Sequence, residues 1–265
     1  IMSTKILIAE GNLEEENKNF IKSGIPTHTE SLKESLSFFT NDLDIDVVNA
    51  SSDKKINSII NDLKKYDALI WGGSSLNIYH DTIEIRRQIE FMKECFKSIK
   101  SILAICWGMQ VAVTAAGGEV KKSTNGAHIG IAQNVEINKK GINFPLYKNK
   151  KNIFNTPAFN FDEVATIPKD STILASNKVN KVQSLNFKTG ISEIWGLQYH
   201  PEITYDKMIR LIKFRKDKLI NIRKVFTNET DIEEHINLIE KENKISEKSL
   251  RLQELQNWLN YINAN

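Results

Sequence analysis

SILAICWGMQVAVTAA, residues Ser101–Ala116, is the stretch whose reading decides the fold. Its apolar run Ile102–Ile105 ends abruptly on Cys106, and a helix-forming run, Met109–Ala116, begins within a few residues. A buried strand that turns sharply into a helix lifts the residue at the bend above the sheet, which is how such folds expose a nucleophile. A cysteine there sits at a helix N-terminus, where the positive dipole end and the free N–H groups favour a thiolate. The same N–H groups can stabilise an oxyanion. A lone cysteine is otherwise a small core residue, so Cys106 needs partners.

Outward from this stretch, strands alternate with helices. Lys5–Ala9 reads as a buried strand closed by Glu10-Gly11-Asn12, Ile45–Val48 as a second, and Ala68–Trp71 as a third that ends on Gly72-Gly73-Ser74-Ser75. Between them, Ser31 with Glu34 predicts a capped helix through Phe39, and Ile56, Ile59, Ile60 and Leu63 share a helical face. Asp81 with Glu84 predicts a cap for a helix through Phe96, and the polar stretch up to Thr29 has no clear period. This alternation predicts a parallel sheet with helices on both faces, whose sites lie beyond the carboxyl ends of the strands. Gly72-Gly73 and Cys106 both fall at that edge.

From Gly117 the texture changes. Short strand-like runs at Glu119–Lys121, Ile131–Ile137, Thr172–Ala175, Lys181–Phe187 and Ile191–Gln198 predict a more antiparallel half. The last run leads into Tyr199-His200-Pro201-Glu202, where Pro201 holds His200 out of helical geometry. Residues 3–204 are therefore expected to form one α/β domain. Residues 205–265 are expected to be a helical extension packed on it, with apolar faces at Met208, Leu211, Ile212, Leu219, Ile222 and Phe226 and at Leu252, Leu255, Leu259 and Ile262. Thr230 with Glu233 predicts the cap of the helix between them. The basic run from Lys207 to Lys224 reads as a solvated face.

The chain's 265 residues, 40% hydrophobic and 26% charged with a formal net charge of +3, give no reason to expect a nucleic-acid partner. No apolar run approaches the roughly 20 residues that span a bilayer, and no signal-peptide h-region is visible, so a cytoplasmic protein is expected. Two cysteines, Cys95 and Cys106, make no disulfide framework or zinc site. Cys95 and the remaining histidines, His28, His80 and His235, read as core or surface residues.

Three separated elements can now converge on one chemistry. Cysteine hydrolysis needs a nucleophile, a base, a group that orients the base, and backbone donors for the oxyanion. Cys106 is the nucleophile, His200 the base and leaving-group acid, and Glu202 its orienting carboxylate, two residues on and so on the same side of an extended segment. Gly73, without a Cβ, and Trp107, directly after the nucleophile, are the expected oxyanion donors.

Ala-Ile-Cys106-Trp-Gly108-Met-Gln110, Gly117-Gly118-Glu119-Val120 and Gly196-Leu-Gln-Tyr-His200-Pro201-Glu202, with Gly72-Gly73-Ser74, together resemble the class I (triad-type) glutamine amidotransferases. The likeness covers roughly Thr4–Thr204. The remainder is similar, less specifically, to stand-alone members related to the amidotransferase domain of GMP synthase. The resemblance implies a three-layer α/β sandwich around a mixed, mostly parallel sheet. It implies attack of Cys106 on the side-chain amide of glutamine, a γ-glutamyl thioester, and no cofactor or metal. It also implies substrate contacts at Gly72, Gln110, His128 and Gly130. Three positions depart from the pattern: Ala104 stands for the usual glycine before the nucleophile, His128 where Glu is common, and Asn160 where His is common. They leave the hydrolytic parts intact and put the substrate in question.

The first expectation is a glutaminase that supplies ammonia to a separate synthetase partner, since no P-loop is present for amination within this chain. The alternative is a free-standing hydrolase or transferase acting on another γ-glutamyl amide or peptide. A non-catalytic binding module is the third reading.

Overall fold

Strands buried on both faces need apolar side chains in both directions, and the N-terminal runs supply them. In the computed structural model, which describes residues 3–264, nine strands form one sheet. In chain order the strands are β1 (Thr4–Ala9), β2 (Leu43–Val48), β3 (Ala68–Trp71), β4 (Ser101–Ile105), β5 (Glu119–Lys122), β6 (His128–Ile129), β7 (Ala132–Ile137), β8 (Ile153–Thr156), β9 (Phe159–Asn160), β10 (Asp162–Thr166), β11 (Thr172–Ser176), β12 (Ser184–Thr189) and β13 (Ser192–Leu197). The large sheet has the order β2-β1-β3-β4-β13-β12-β11-β7-β8. Its first five strands are mutually parallel, and the pairs from β13 to β8 are antiparallel. The sheet is mixed, and most of its strands run one way. Two small antiparallel pairs, β5 with β10 and β6 with β9, stand outside it.

The helices are α1 (Glu14–Lys22), α2 (His28–Ser37), α3 (Ile56–Asn61), α4 (Ile83–Phe96), α5 (Trp107–Ala115), α6 (Lys139–Ile142), α7 (Tyr205–Phe214), α8 (Glu229–Ile245), α9 (Lys248–Arg251) and α10 (Gln253–Ala264). The period of two along β1 and β4 divides the core. Leu7, Ile102 and Ala104 pack on one face with α4 and α5, while Ile6, Ile8, Leu103 and Ile105 pack on the other with Leu255, Trp258 and Leu259 of α10. A third cluster joins Phe20 of α1, Ile129 and Phe159 of the β6–β9 pair, and α7 with α8. The C-terminal helices thus cover the second face of the sheet and flank one end of the site.

Three expected caps are displaced. Thr27 with Glu30, not Ser31 with Glu34, forms the capping box of α2. Thr82 rather than Asp81 caps α4, because Asp81 is in the left-handed region (φ 52°) and gives both carboxylate oxygens to Arg86. Asn228 rather than Thr230 caps α8. Helix α1 has no counterpart among the expected elements, since Phe20 is its one buried residue and leaves no readable stripe. Ile222, expected on an apolar face, is 67% exposed, because residues Lys218–Ile222 form a single π turn that rotates it outward.

Candidate active site

Cys106 occupies the bend between β4 and α5 with φ 53° and ψ −104°, a conformation that costs a non-glycine residue of order 1–3 kcal/mol. The surroundings over-determine it. Its N–H donates to Leu197 O at 2.6 Å across the β4–β13 edge, and its carbonyl accepts from Gln110 N–H at 3.1 Å. Gly108 lets α5 start this close to the sheet, since a Cβ there would lie 2.3 Å from Trp71 O. Gly108 N–H donates to Gly72 O at 3.2 Å, which ties the bend to the end of β3.

His200 and Glu202 follow β13, the strand beside β4, and both are buried. His200 Nδ1 and Glu202 Oε1 are 2.5 Å apart. Burial alone would lower the imidazole's pKa. The fields of the hydrogen-bonded Glu202 carboxylate and, after it, of Cys106 outweigh burial and raise the value to about 10. The imidazolium form of His200 is thereby favoured. The turn itself is clamped by the C-terminal extension: Arg251 Nη1 donates to Pro201 O at 2.6 Å and to Ile203 O at 3.2 Å.

Behind the ring lies a second layer. His28 stacks on His200 with centroids 5.6 Å apart and planes 14° from parallel. Lys207 Nζ reaches His28 Nδ1 at 3.4 Å and donates to Ser31 Oγ at 2.9 Å. Burial lowers the Lys207 pKa to about 8 against the raising fields of Glu202, Glu10 and Glu30, and burial with the Lys207 charge keeps His28 neutral.

Gly73 packs edge-on to the base: a Cβ would lie 2.7 Å from His200 Cε1 and 3.3 Å from His28 Nε2. Trp107 opens α5, so its N–H belongs to the first turn, which has no intrahelical acceptor. Its indole is fixed away from the site by Nε1–H donating to Gln88 Oε1 at 2.8 Å.

Cys106, Trp107 and Gln110 line a cleft of about 500 Å³, with Ser74–Asn77 on one side, Phe159–Asp162 on another, and Arg215–Arg223 closing the third. Gln110 Nε2 donates to Gln198 Oε1 at 3.3 Å, and Gln198 Nε2 lies 3.4 Å from Cys106 Sγ. Three expected substrate contacts lie elsewhere. Gly72 packs under Leu32. Gly130, with φ +85°, sits beneath Ile239 and Ile212. His128 is buried, its Nδ1 2.9 Å from Asn160 Oδ1 and its Nε2 accepting from Asn177 Nδ2 at 3.0 Å. Two of the departures from the family pattern, His128 and Asn160, are therefore partners across the β6–β9 register, and only Asn160 of these faces the cleft.

Sequence reading misses Gln198, although it precedes His200 by two residues in an extended segment and so shares its side. It also misses Arg215, Arg223 and Lys207, which belong to the basic run that reads as a solvated face. Lys207 is instead 4% exposed, and both arginines border the cleft.

Cys106 at the strand–helix bend and the His200–Glu202 pair beyond the adjacent strand thus lie at the same edge of the sheet. The family profile of class-I glutamine amidotransferases matches residues 27–216, and the chain belongs to that family. It is 30% identical over 203 residues to a gamma-glutamyl-L-1-hydroxyisopropylamide hydrolase of Pseudomonas sp, covering 76% of this chain and 68% of that protein. It is 28% identical over 152 residues to the glutamine-hydrolyzing GMP synthase subunit of Sulfurisphaera tokodaii, covering 57% of this chain and 76% of the relative. A glutamine amidotransferase structure from Thermotoga maritima superposes over 99% of both chains with a TM-score of 0.66 at 17% identity, a likeness of fold.

Proposed function

We propose that the protein hydrolyses a γ-glutamyl amide larger than glutamine. The Cys106 thiolate attacks the γ-carbonyl, and the oxyanion accepts from the N–H groups of Gly73 and Trp107. His200, protonated and oriented by Glu202, gives its proton to the departing amine. It then takes a proton from the water that cleaves the γ-glutamyl thioester, releasing glutamate. Gln110, held by Gln198, contacts the glutamyl group. The free thiols at Cys95 and Cys106 suit a reducing compartment such as the cytoplasm.

The observation that carries the reading is the cleft: about 500 Å³ in front of Cys106, walled by residues 215–223. Sites of roughly 300–1,000 Å³ bury ligands far larger than one amino acid. The similarity to a γ-glutamyl amide hydrolase points the same way. Release of glutamate from a panel of γ-glutamyl compounds, with glutamine included, tests it. Higher kcat/KM for a larger amide is expected, and glutamine preferred over every larger substrate would overturn it. The second reading, a glutaminase that passes ammonia to a separate synthetase partner, is favoured by the likeness to the glutamine-hydrolyzing chain of GMP synthase. It predicts that preference for glutamine, sharpened when the partner chain is added.

A further inference from the structure

The wall that closes the cleft is rich in positive charge. Arg215, at the end of α7, lies over the Phe159 ring at 5.1 Å and the Phe20 ring at 5.9 Å, and its guanidinium makes no hydrogen bond or ion pair among the described residues. Burial lowers its pKa, while the field of Glu16 and then that of Cys106 act in the opposite sense. Arg223 follows the π turn, whose widened bond (Arg223 N–H to Lys218 O, 2.8 Å) brings Lys218 and Arg223 onto the cleft beside Arg215. Arg223 stacks 4.1 Å over Phe161 and donates to Asn77 Oδ1 at 3.1 Å. With Lys122 they make four cationic side chains on the cleft, against the one carboxylate of Asp162. That carboxylate is already committed, accepting from Asn77 Nδ2 at 2.6 Å and Tyr79 Oη at 2.8 Å.

A thiolate–imidazolium pair is neutral, and the α-amino and α-carboxylate groups of a γ-glutamyl head cancel. Neither explains the surplus. We propose that Arg215, backed by Arg223 and Lys218, is the subsite for an acidic group on the leaving amine. The preferred substrate is then a γ-glutamyl amide whose amine half bears a free carboxylate, as in a γ-glutamyl peptide. This rests on the hydrolase reading above. The planar fork of Arg215, held between two rings, presents two parallel donors to such a carboxylate. Lys218 and Lys122, at the exposed rim, speed encounter more than they hold.

The test compares three substrates of equal length: a γ-glutamyl dipeptide with a free C-terminal carboxylate, the same dipeptide amidated, and a 4-aminobutyryl analogue that lacks the α-carboxylate. The free dipeptide should exceed the amidated one by about 10- to 100-fold in kcat/KM, mostly through KM. Arg215→Met, which keeps an apolar stem between the rings, should collapse that ratio towards one, and its thermal melt shows whether it folds. The exposed pair Lys218→Gln and Lys122→Gln should lower the ratio's salt dependence without touching the ring stack. Equal rates for the free and amidated dipeptides would overturn the subsite and leave the hydrolase reading standing. Dependence on Arg215 that follows the α-carboxylate instead would assign the arginine to the glutamyl head and overturn the proposal as stated. Failure to turn over any of the three would overturn both readings.

Discussion

The Cys106 bend and the wall formed by residues 215–223 face each other across one cleft, and they are built by opposite means. The bend is locked between adjacent parallel strands: a 2.6 Å backbone bond to Leu197, a glycine at Gly108 with no room for a Cβ, and Gly73 flush against His200. The wall is a π turn beyond α7, held by ring stacking, a side-chain bond to Asn77, the Lys216–Glu229 ion pair at 2.8 Å and the buried Leu219. Chemistry needs its atoms placed to fractions of an ångström. Selectivity needs only charge and shape, and irregular elements supply both. On the proposed function, one region fixes the reaction and the other selects its substrate.

The comparison breaks most sharply at the nucleophile. Cys106→Ala should lower γ-glutamyl hydrolysis by roughly 10⁴- to 10⁶-fold with KM little changed, measured as glutamate released. Gly73→Ala comes next. Its Cβ would meet His200 Cε1 at 2.7 Å, so kcat should fall about 100-fold or more, and displacement of the ring would show as a lost imidazolium signal by NMR.

Glu202→Gln should lower the His200 pKa from about 10 and bring the alkaline limb of kcat/KM down with it. The sign for stability follows from the same shift. The folded protein keeps the imidazole proton up to about pH 10, while the unfolded chain loses it near 6.5. The stabilisation is therefore complete below about 6.5 and is lost as pH rises towards 10. Denaturant titrations across that window should slope downward in the wild type and flatten in Glu202→Gln.

Smaller effects sharpen the boundary between the regions. Arg251→Met removes two bonds to the carbonyls that flank Glu202, and should cost about 1.5–3 kcal/mol by denaturant melt with a parallel fall in kcat. His128→Ala should cost about 1–3 kcal/mol, because Asn160 Oδ1 and Asn177 Nδ2 lose their buried partner. Since the ring does not line the cleft, its effect on hydrolysis should be smaller than that of any change at the bend.

The same division explains what is legible in the sequence. Runs such as Ala68–Trp71 and Ile102–Ile105 are buried on both faces and have only one reading as strands, and the motif around Cys106 carries steric demands that few other contexts share. The two-residue strands β6 and β9 have no period to detect, so motif position alone puts His128 at the substrate, whereas its pairing with Asn160 is a tertiary contact across the β6–β9 register. The π turn inserts a residue into a helical count, which is why Ile222 is exposed at the cleft beside Arg223 instead of packed in the core. Charge runs carry no sign of which members are buried. Lys207 and Arg215 are distinguished from their solvated neighbours only by the His28–His200 stack and the Phe159–Phe20 rings.

The claim at the centre is a γ-glutamyl thioester on Cys106. Cys95 provides an internal control, since burial raises its thiol pKa far out of the reactive range. Treating the protein with a glutamine-like electrophile and mapping the adduct by peptide mass spectrometry should show one label, on Cys106, with loss of activity in proportion to labelling. Labelling of Cys95, or full activity after Cys106 is labelled, would contradict it.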